Sequence, residues 1–169
     1  LRDLDIRNDS GKKKSPRELI VPVGAKKSVN ISPNFMWGNS SYVLGVDNNG
    51  KAKRTARCFQ AFKKYHHDIG GDLNDEGVQA VLQFLDRWRP DNIKKLRYSE
   101  EIMSMNLVFK LEGETGFIHE RSKIQQAWIK HHTKNRSSVK GVCLVTGEKT
   151  GIARIHSAVK GVRDAQSSG

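Results

Sequence analysis

Two stretches of helical periodicity, separated by a pair of glycines, constrain the fold of this chain more than any other feature. On the first stretch, the side chains that share one face are Phe59, Phe62, His66 and Ile69. On the second stretch, they are Val78, Val81, Leu82, Leu85 and Trp88. Gly70-Gly71 is typical of a helix end, Asn74 is a suitable N-cap for the second helix, and Pro90 stops it. The pattern therefore predicts two consecutive amphipathic helices.

Shorter apolar runs predict the remaining elements. The runs 41–46, 106–111 and 117–118 indicate strands, the last two as a hairpin, and Pro22 makes 20–23 suit an edge strand. A third helix is predicted over 121–132, and a second strand pair over 142–145 and 152–155. The fold class predicted is α+β, with small mixed or antiparallel sheets and about three to four helices.

Composition divides the chain of 169 residues into three parts. Residues 1–16 are predicted to be a flexible basic segment, 17–163 the α+β domain, and 164–169 a loop or tail. A chain of this length can bury a core without disulfides. The widely separated Cys58 and Cys143, the lack of an apolar run long enough to span a membrane, and the absence of a visible signal peptide predict a cytoplasmic protein.

The charge is strongly positive and unevenly distributed. Lys and Arg number 30 against 18 Asp and Glu, which gives a net charge of +12. The bases collect in 10–27, 51–64, 121–140 and 149–163, and the last three contain no acid. This segregation predicts one positive face and a polyanionic partner, most often nucleic acid. A basic protein without such a partner is the alternative.

Catalytic, metal and cofactor patterns fail on spacing. The run from Thr146 to Thr150 lacks the glycine spacing of a phosphate-binding loop, and Cys143 has no second thiol nearby for zinc. Adjacent histidines on a helix, as at 66–67 and 131–132, point about 100° apart and cannot chelate together. No triad or carboxylate pair is visible. We therefore predict no enzyme activity, no cofactor and no metal.

Two loops could contact DNA. The loop 30–39 combines amides and aromatic side chains, which can pair with bases or wedge between them, and its candidates are Asn30, Asn34, Trp37 and Asn39. Alternatively, its aromatic residues fill the core and its amides cap backbone groups. The short side chains near the C-terminal end would let the backbone approach a phosphate or base, and they are Gln166, Ser167 and Ser168.

Basic residues in flexible surroundings suit phosphate contact and counterion release. The candidates are Lys12, Lys13, Lys14, Arg17, Lys26, Lys27, Lys160 and Arg163. A solvated charge run with no ligand is the alternative for the lysines at 12–14.

Several stretches together resemble one known family. They include PNF at 33–35, GDLNDEG at 71–77, IHER at 118–121, GVCLVTGE at 141–148, IARIH at 152–156 and AQSSG at 165–169. Their order and spacing resemble the large subunit of the type I-C CRISPR surveillance complex, Cascade, from about residue 15 onward. Members of that family run to several hundred residues, so the resemblance implies that this chain is a piece of the N-terminal region.

The resemblance implies a subunit that is not an enzyme. Such large subunits join crRNA and the other Cascade subunits, read the protospacer-adjacent motif (PAM) on double-stranded target DNA, start strand separation and support recruitment of a helicase–nuclease. It further implies that Gln166 is a candidate wedge at the first base pair. The alternatives are a segment that only docks to other subunits and crRNA, and a sequence-independent binder of duplex DNA.

Overall fold

The α+β class is confirmed in the computed structural model, which describes residues 2–9, 11, 14–24, 30–103, 105–134, 140–143 and 146–151. The chain forms two compact units, Leu1–Trp128 and Ile129–Gly169.

The described residues form short strands and helices. The strands are β1 (Asn8–Asp9), β2 (Lys14–Ser15), β3 (Trp37–Asn39), β4 (Asn106–Val108), β5 (Lys140–Val142) and β6 (Lys149–Gly151). The α-helices are α1 (Ser40–Val43), α2 (Ala52–Gly70), α3 (Glu76–Arg87), α4 (Ser99–Ile102) and α5 (Ser122–Lys134), and Pro90–Lys95 and Ile118–Glu120 are 3-10 helices. In the described residues the strands pair antiparallel as β1–β2, β3–β4 and β5–β6.

The two predicted long helices are confirmed as α2 and α3, and they form the centre of the first unit. Their apolar faces are buried, with Phe62 and Val78 fully enclosed. The helices approach closely at Gly70, where an added Cβ would lie 2.7 Å from Val78 Cγ1. The N-cap of α3 is Asp75 rather than the predicted Asn74, because the Asp75 carboxylate accepts a hydrogen bond from the Val78 amide at 3.1 Å.

The predicted strand over 41–46 is wrong. Ser40–Val43 is a single helical turn, and the Ser40 hydroxyl donates to the Met103 carbonyl at 2.8 Å. The turn ends at Gly45, whose positive φ of 70° favours glycine. A short apolar run cannot by itself separate a strand from a helical turn that is packed on both sides.

The predicted hairpin of 106–111 with 117–118 is also wrong. β4 pairs instead with β3, with Gly38 opposite Leu107, and Ile118 begins a 3-10 helix. The two predicted strands meet through one backbone bond, from the Ile118 amide to the Phe109 carbonyl at 3.0 Å. β3 is far from β4 in sequence, so no local pattern predicts their pairing. The turn residues that follow 106–111 instead favoured pairing with 117–118.

Residues 16–24, which we call the strap, do not form the predicted edge strand. The Ile20 side chain is 95% exposed and that of Val23 is 72% exposed. The strap is held to the first unit through its carbonyls. His119 Nε2 donates to the Ile20 oxygen at 3.1 Å, and the Trp37 indole donates to the Pro22 oxygen at 2.9 Å.

The described part of the N-terminal basic segment has regular structure. β1 and β2 pair through two residues each, and the Asp3 carboxylate accepts from the Tyr98 amide at 2.7 Å. Asp5 accepts from both Arg7 and Lys14 at 2.6 Å. These hydrogen bonds, first that of Arg7 and then that of Lys14, hold the pKa of Asp5 well below its usual range.

The second unit contains the end of α5 and the β5–β6 hairpin. The third predicted helix is confirmed as α5. In the hairpin, Lys140 pairs with Gly151 and Val142 with Lys149 around Gly147, whose φ is 72°. β5 therefore starts two residues before the predicted 142–145, and β6 starts three residues before the predicted 152–155. Residues 144–145 and 152–155 lie outside the described part of the chain.

The start of α3 is tied to the start of α5 by ion pairs. Arg121 Nη1 lies 2.7 Å from Asp75 Oδ1, and Arg121 Nη2 also pairs with Glu114. Burial alone would raise the pKa of Asp75, but the Val78 amide and the Arg121 guanidinium outweigh it and lower the pKa. One carboxylate therefore caps a helix and anchors the chain before the next one.

Replacing Asp75 with Ala removes the cap and leaves Arg121 without one partner. We expect the free energy of unfolding to fall by about 1–3 kcal/mol, measured by urea denaturation at pH 7. Asp72→Ala is the matched control, since Asp72 is exposed and lies just before the cap. Equal midpoints for the two variants would contradict this role of Asp75.

Candidate nucleic-acid interface

The loop 30–39 is fixed by a buried histidine of α2. His66 and Met36 are fully buried and Phe35 is 1% exposed. The Met36 amide donates to His66 Nε2 at 2.9 Å, and His66 Nδ1 lies 2.8 Å from the Phe62 carbonyl oxygen. Met36 adopts a positive φ of 60°, a conformation that few non-glycine residues tolerate. The hydrogen bond to His66 holds this strained position in place.

The two partners define the protonation state of His66. A carbonyl can only accept and an amide can only donate, so Nδ1 carries the hydrogen and Nε2 carries the lone pair. The Phe62 ring lies 4.0 Å from the imidazole, centroid to centroid. Burial therefore lowers the pKa of His66 to about 4 and keeps the ring neutral.

The predicted DNA contacts of this loop lie in different environments. Asn34 is 3% exposed, a position that fits loop stabilisation better than base contact. Trp37 is half-buried, and its indole binds the strap at Pro22. Asn39 is half-buried and accepts from the Ser41 hydroxyl at 2.7 Å. Asn30 is exposed. Of these candidates, Asn30 is thus exposed, and Trp37 and Asn39 are partly accessible.

The predicted phosphate contacts are only partly described. Lys14 is bound to Asp5 and its ammonium lies 5.8 Å from the centre of the Tyr98 ring, so an internal carboxylate compensates its charge. Arg17 is exposed in the strap. The other candidates lie outside the described residues, and they are Lys12, Lys13, Lys26, Lys27, Lys160, Arg163, Gln166, Ser167 and Ser168.

A larger group of exposed bases belongs to α2 and to the segment after α3. We call this group, together with the N-cap Lys51 of α2 and the last residue Arg87 of α3, the basic surface. Its members are Lys51, Lys53, Arg54, Arg57, Arg87, Arg89, Lys94, Lys95 and Arg97. Between residues 87 and 97 the sequence contains one acid, Asp91, and between 51 and 64 it contains none. The sequence shows the basic run 51–64, but it does not show which of these bases have an acidic partner.

Packing at Gly45 brings the two halves of the basic surface together. A Cβ at Gly45 would lie 3.1 Å from Pro90 Cγ and 3.3 Å from Phe59 Cβ, so α2 and the 3-10 helix both contact this glycine. The Trp88 indole donates to the Leu44 carbonyl at 2.9 Å and holds the end of α3 at the same place. Bases from distant parts of the sequence therefore lie on neighbouring elements.

Ion pairing differs along α2. Near its C-terminal end, Lys63 pairs with Asp86 at 2.9 Å and Lys64 pairs with Asp68 at 2.7 Å. Near its N-terminal end, Lys53 and Arg57 make no ion pair with any residue that the structure describes. The helix dipole adds positive potential there. The uncompensated charge of these two residues thus lies in the first turns of α2, where the electrostatic attraction for a polyanion would be strongest.

Neither a metal cluster nor a membrane span is found in the described ranges. They contain no group of three or more His, Cys, Asp or Glu residues that could hold a metal ion. No helix in the same ranges is both long enough and apolar enough to cross a membrane.

Comparison with known proteins identifies a family for the whole chain. The model of the family described as CRISPR-associated protein (Cas_Csd1) matches residues 1–169. No curated protein matches the chain.

The buried neutral His66 predicts a pH-dependent stability. Its folded pKa of about 4 lies below the ordinary value of 6.5, so the unfolded chain binds the extra proton first as the pH falls. The contribution of neutral His66 to the free energy of unfolding is therefore fully present above pH 6.5. It falls by about 3 kcal/mol as the pH drops from 6.5 to about 4. Urea denaturation at a series of pH values measures this loss.

Burial also lowers the pKa of His119, which adds to the same slope. An NMR titration of the imidazole signals separates the two histidines. A His66 ring that takes up its proton near pH 6.5 in the folded protein would contradict the assignment.

Proposed function

The chain belongs to the Cas_Csd1 family of CRISPR-associated proteins, and we propose that it serves as a non-catalytic DNA-binding subunit of a type I-C interference complex. The observation that carries this proposal is the basic surface, whose exposed bases lie on two elements that both pack against Gly45. A duplex offers closely spaced phosphates, and neutralising them releases counterions. The proposal assigns no catalytic residue to the chain.

In this proposal the duplex lies along the basic surface, and a short PAM is read by nearby side chains. Phosphate contacts position the duplex, whereas contacts to base edges supply the specificity. Asn30 and Asn39 remain candidates for base contact because both are accessible to some degree. Gln166, with its neighbours Ser167 and Ser168, remains the proposed wedge that starts strand separation.

The same proposal extends to the partners of the subunit. It would associate with crRNA and the other Cascade subunits and would support recruitment of the helicase–nuclease once the target is bound. The same division of labour, in which protein reads the PAM and RNA reads the rest of the target, is used by another class of RNA-guided effector.

Removing two charges of the basic surface tests the duplex contact. We expect Lys53→Gln with Arg57→Gln to weaken duplex binding and to reduce the slope of log K against log salt by about 2, since each phosphate contact contributes about 0.9. Fluorescence anisotropy at several salt concentrations measures both quantities.

The matched control removes the same charge elsewhere. Lys64→Gln with Lys123→Gln lowers the net charge by the same amount, but Lys64 already pairs with Asp68 and Lys123 lies on α5. An equal loss of slope in both double variants would mean that only the net charge matters, and would contradict a contact at the basic surface.

A duplex library with a randomised segment tests sequence recognition for every possible PAM at once. Bound and unbound fractions are separated at near-physiological salt and sequenced. We expect enrichment of one short motif by about tenfold, equivalent to about 1.4 kcal/mol. Uniform recovery with a steep salt dependence would instead support a sequence-independent duplex binder.

The strap favours a second candidate function, docking to another subunit of the complex. Two exposed apolar residues of the strap, Ile20 at 95% and Val23 at 72%, lie beside carbonyls that accept hydrogen bonds from His119 and Trp37. Apolar side chains in this position suit a protein interface. A chain that bound no duplex but associated stably with a Cascade backbone subunit would favour this function over the first.

A further inference from the structure

A cavity of about 730 Å³ lies in the first unit beside the outer face of α3. Three half-buried aromatic rings line it, those of Phe84, Trp88 and Phe109. The Phe84 ring lies 5.5 Å from the Trp88 ring and 5.9 Å from the Phe109 ring, centroid to centroid. The volume falls in the range of sites that hold small organic groups.

The cavity opens among positive side chains. Arg87 and Lys110 line it, both are exposed, and neither makes an ion pair with any residue in the described ranges. The acids at its rim are compensated, because Glu114 pairs with Arg121 and Glu112 lies 3.7 Å from Arg2. The uncompensated charge at the opening is therefore positive and favours an anionic group attached to whatever enters.

Polar groups of the cavity lining have the character that a heterocycle requires. Gln83 and Asn92 line the cavity and carry amides that can both donate and accept hydrogen bonds. The Trp88 indole hydrogen is already bound to the Leu44 carbonyl, so Trp88 offers its ring face rather than its donor. Flat aromatic faces, amides and cations at the opening together match a nucleobase with its phosphate.

We propose that this cavity receives one unpaired nucleotide of a nucleic acid bound on the basic surface. The base stacks among Phe84, Trp88 and Phe109, and the flanking phosphates contact Arg87 and Lys110. Arg87 also belongs to the basic surface, so a strand leaving that surface passes the opening of the cavity. This site rests on the proposed function, because a fully paired duplex exposes no base face for stacking.

The test compares two DNA probes that differ in one nucleotide. The first is a fully paired duplex, and the second is the same duplex with a single bulged 2-aminopurine. We expect the full chain to bind the bulged duplex about tenfold more tightly and to quench the 2-aminopurine fluorescence by stacking. Equal affinity for both probes without quenching would overturn the site.

Substitutions test whether the preference for the bulged duplex arises in the cavity. Phe84→Leu should remove the preference and the quenching while leaving affinity for the paired duplex unchanged. Phe117→Leu is the matched control, since Phe117 stacks on His119 at 5.7 Å and does not line this cavity. Lys110→Gln, an exposed substitution, should reduce the preference without affecting the fold. A preference that survives both Phe84→Leu and Lys110→Gln would overturn the assignment.

The same probes separate the two proposals. No binding of the paired duplex at any salt concentration would contradict the proposed function, whereas tight binding of that duplex without preference for the bulge contradicts only the cavity. A bulge carrying a ribonucleotide distinguishes guide RNA from target DNA as the source of the base. Tighter binding of the ribonucleotide would support the site and assign it to RNA.

Discussion

The hydrogen bonds of His66 to Met36 and Phe62 are the constraint on which the rest of the first unit depends. They hold Met36 at a positive φ and so direct β3 against β4. The chain then turns through α1 to Gly45, where α2 and the 3-10 helix meet. The imidazole must stay neutral to accept from the Met36 amide. The neutral form of His66 therefore stabilises the chain from Met36 through α1 to Gly45.

The basic surface follows from that packing rather than from any single motif. Acidic partners compensate the lysines near the end of α2, while Lys53 and Arg57 in its first turns have no such partner among the described residues. The bases after α3 lie on a neighbouring element, because Trp88 is held at Leu44 and both Pro90 and Phe59 of α2 pack against Gly45. Charge and aromatic side chains thus meet at the end of α3, where a nucleic acid would find both.

The sequence predicted the long elements well and the short ones poorly. α2, α3 and α5 were predictable because each repeats apolar residues with a period near 3.6 over several turns. β3 and β4 were not, because Gly38 pairs with Leu107 and nothing local encodes that partner. For the site, composition predicted a polyanionic ligand, but a local pattern could not show that Asn34 is enclosed with Phe35 or that Lys14 is bound to Asp5.

Amide NMR of the ¹⁵N-labelled chain during titration with a duplex tests most directly where the nucleic acid lies. We expect the largest chemical-shift changes at residues 51–57 and 87–97, with small changes at Met36 and Ile124, which are buried. Changes confined to the strap at residues 16–24, with none at the start of α2 or after α3, would contradict the central claim that the duplex binds the basic surface.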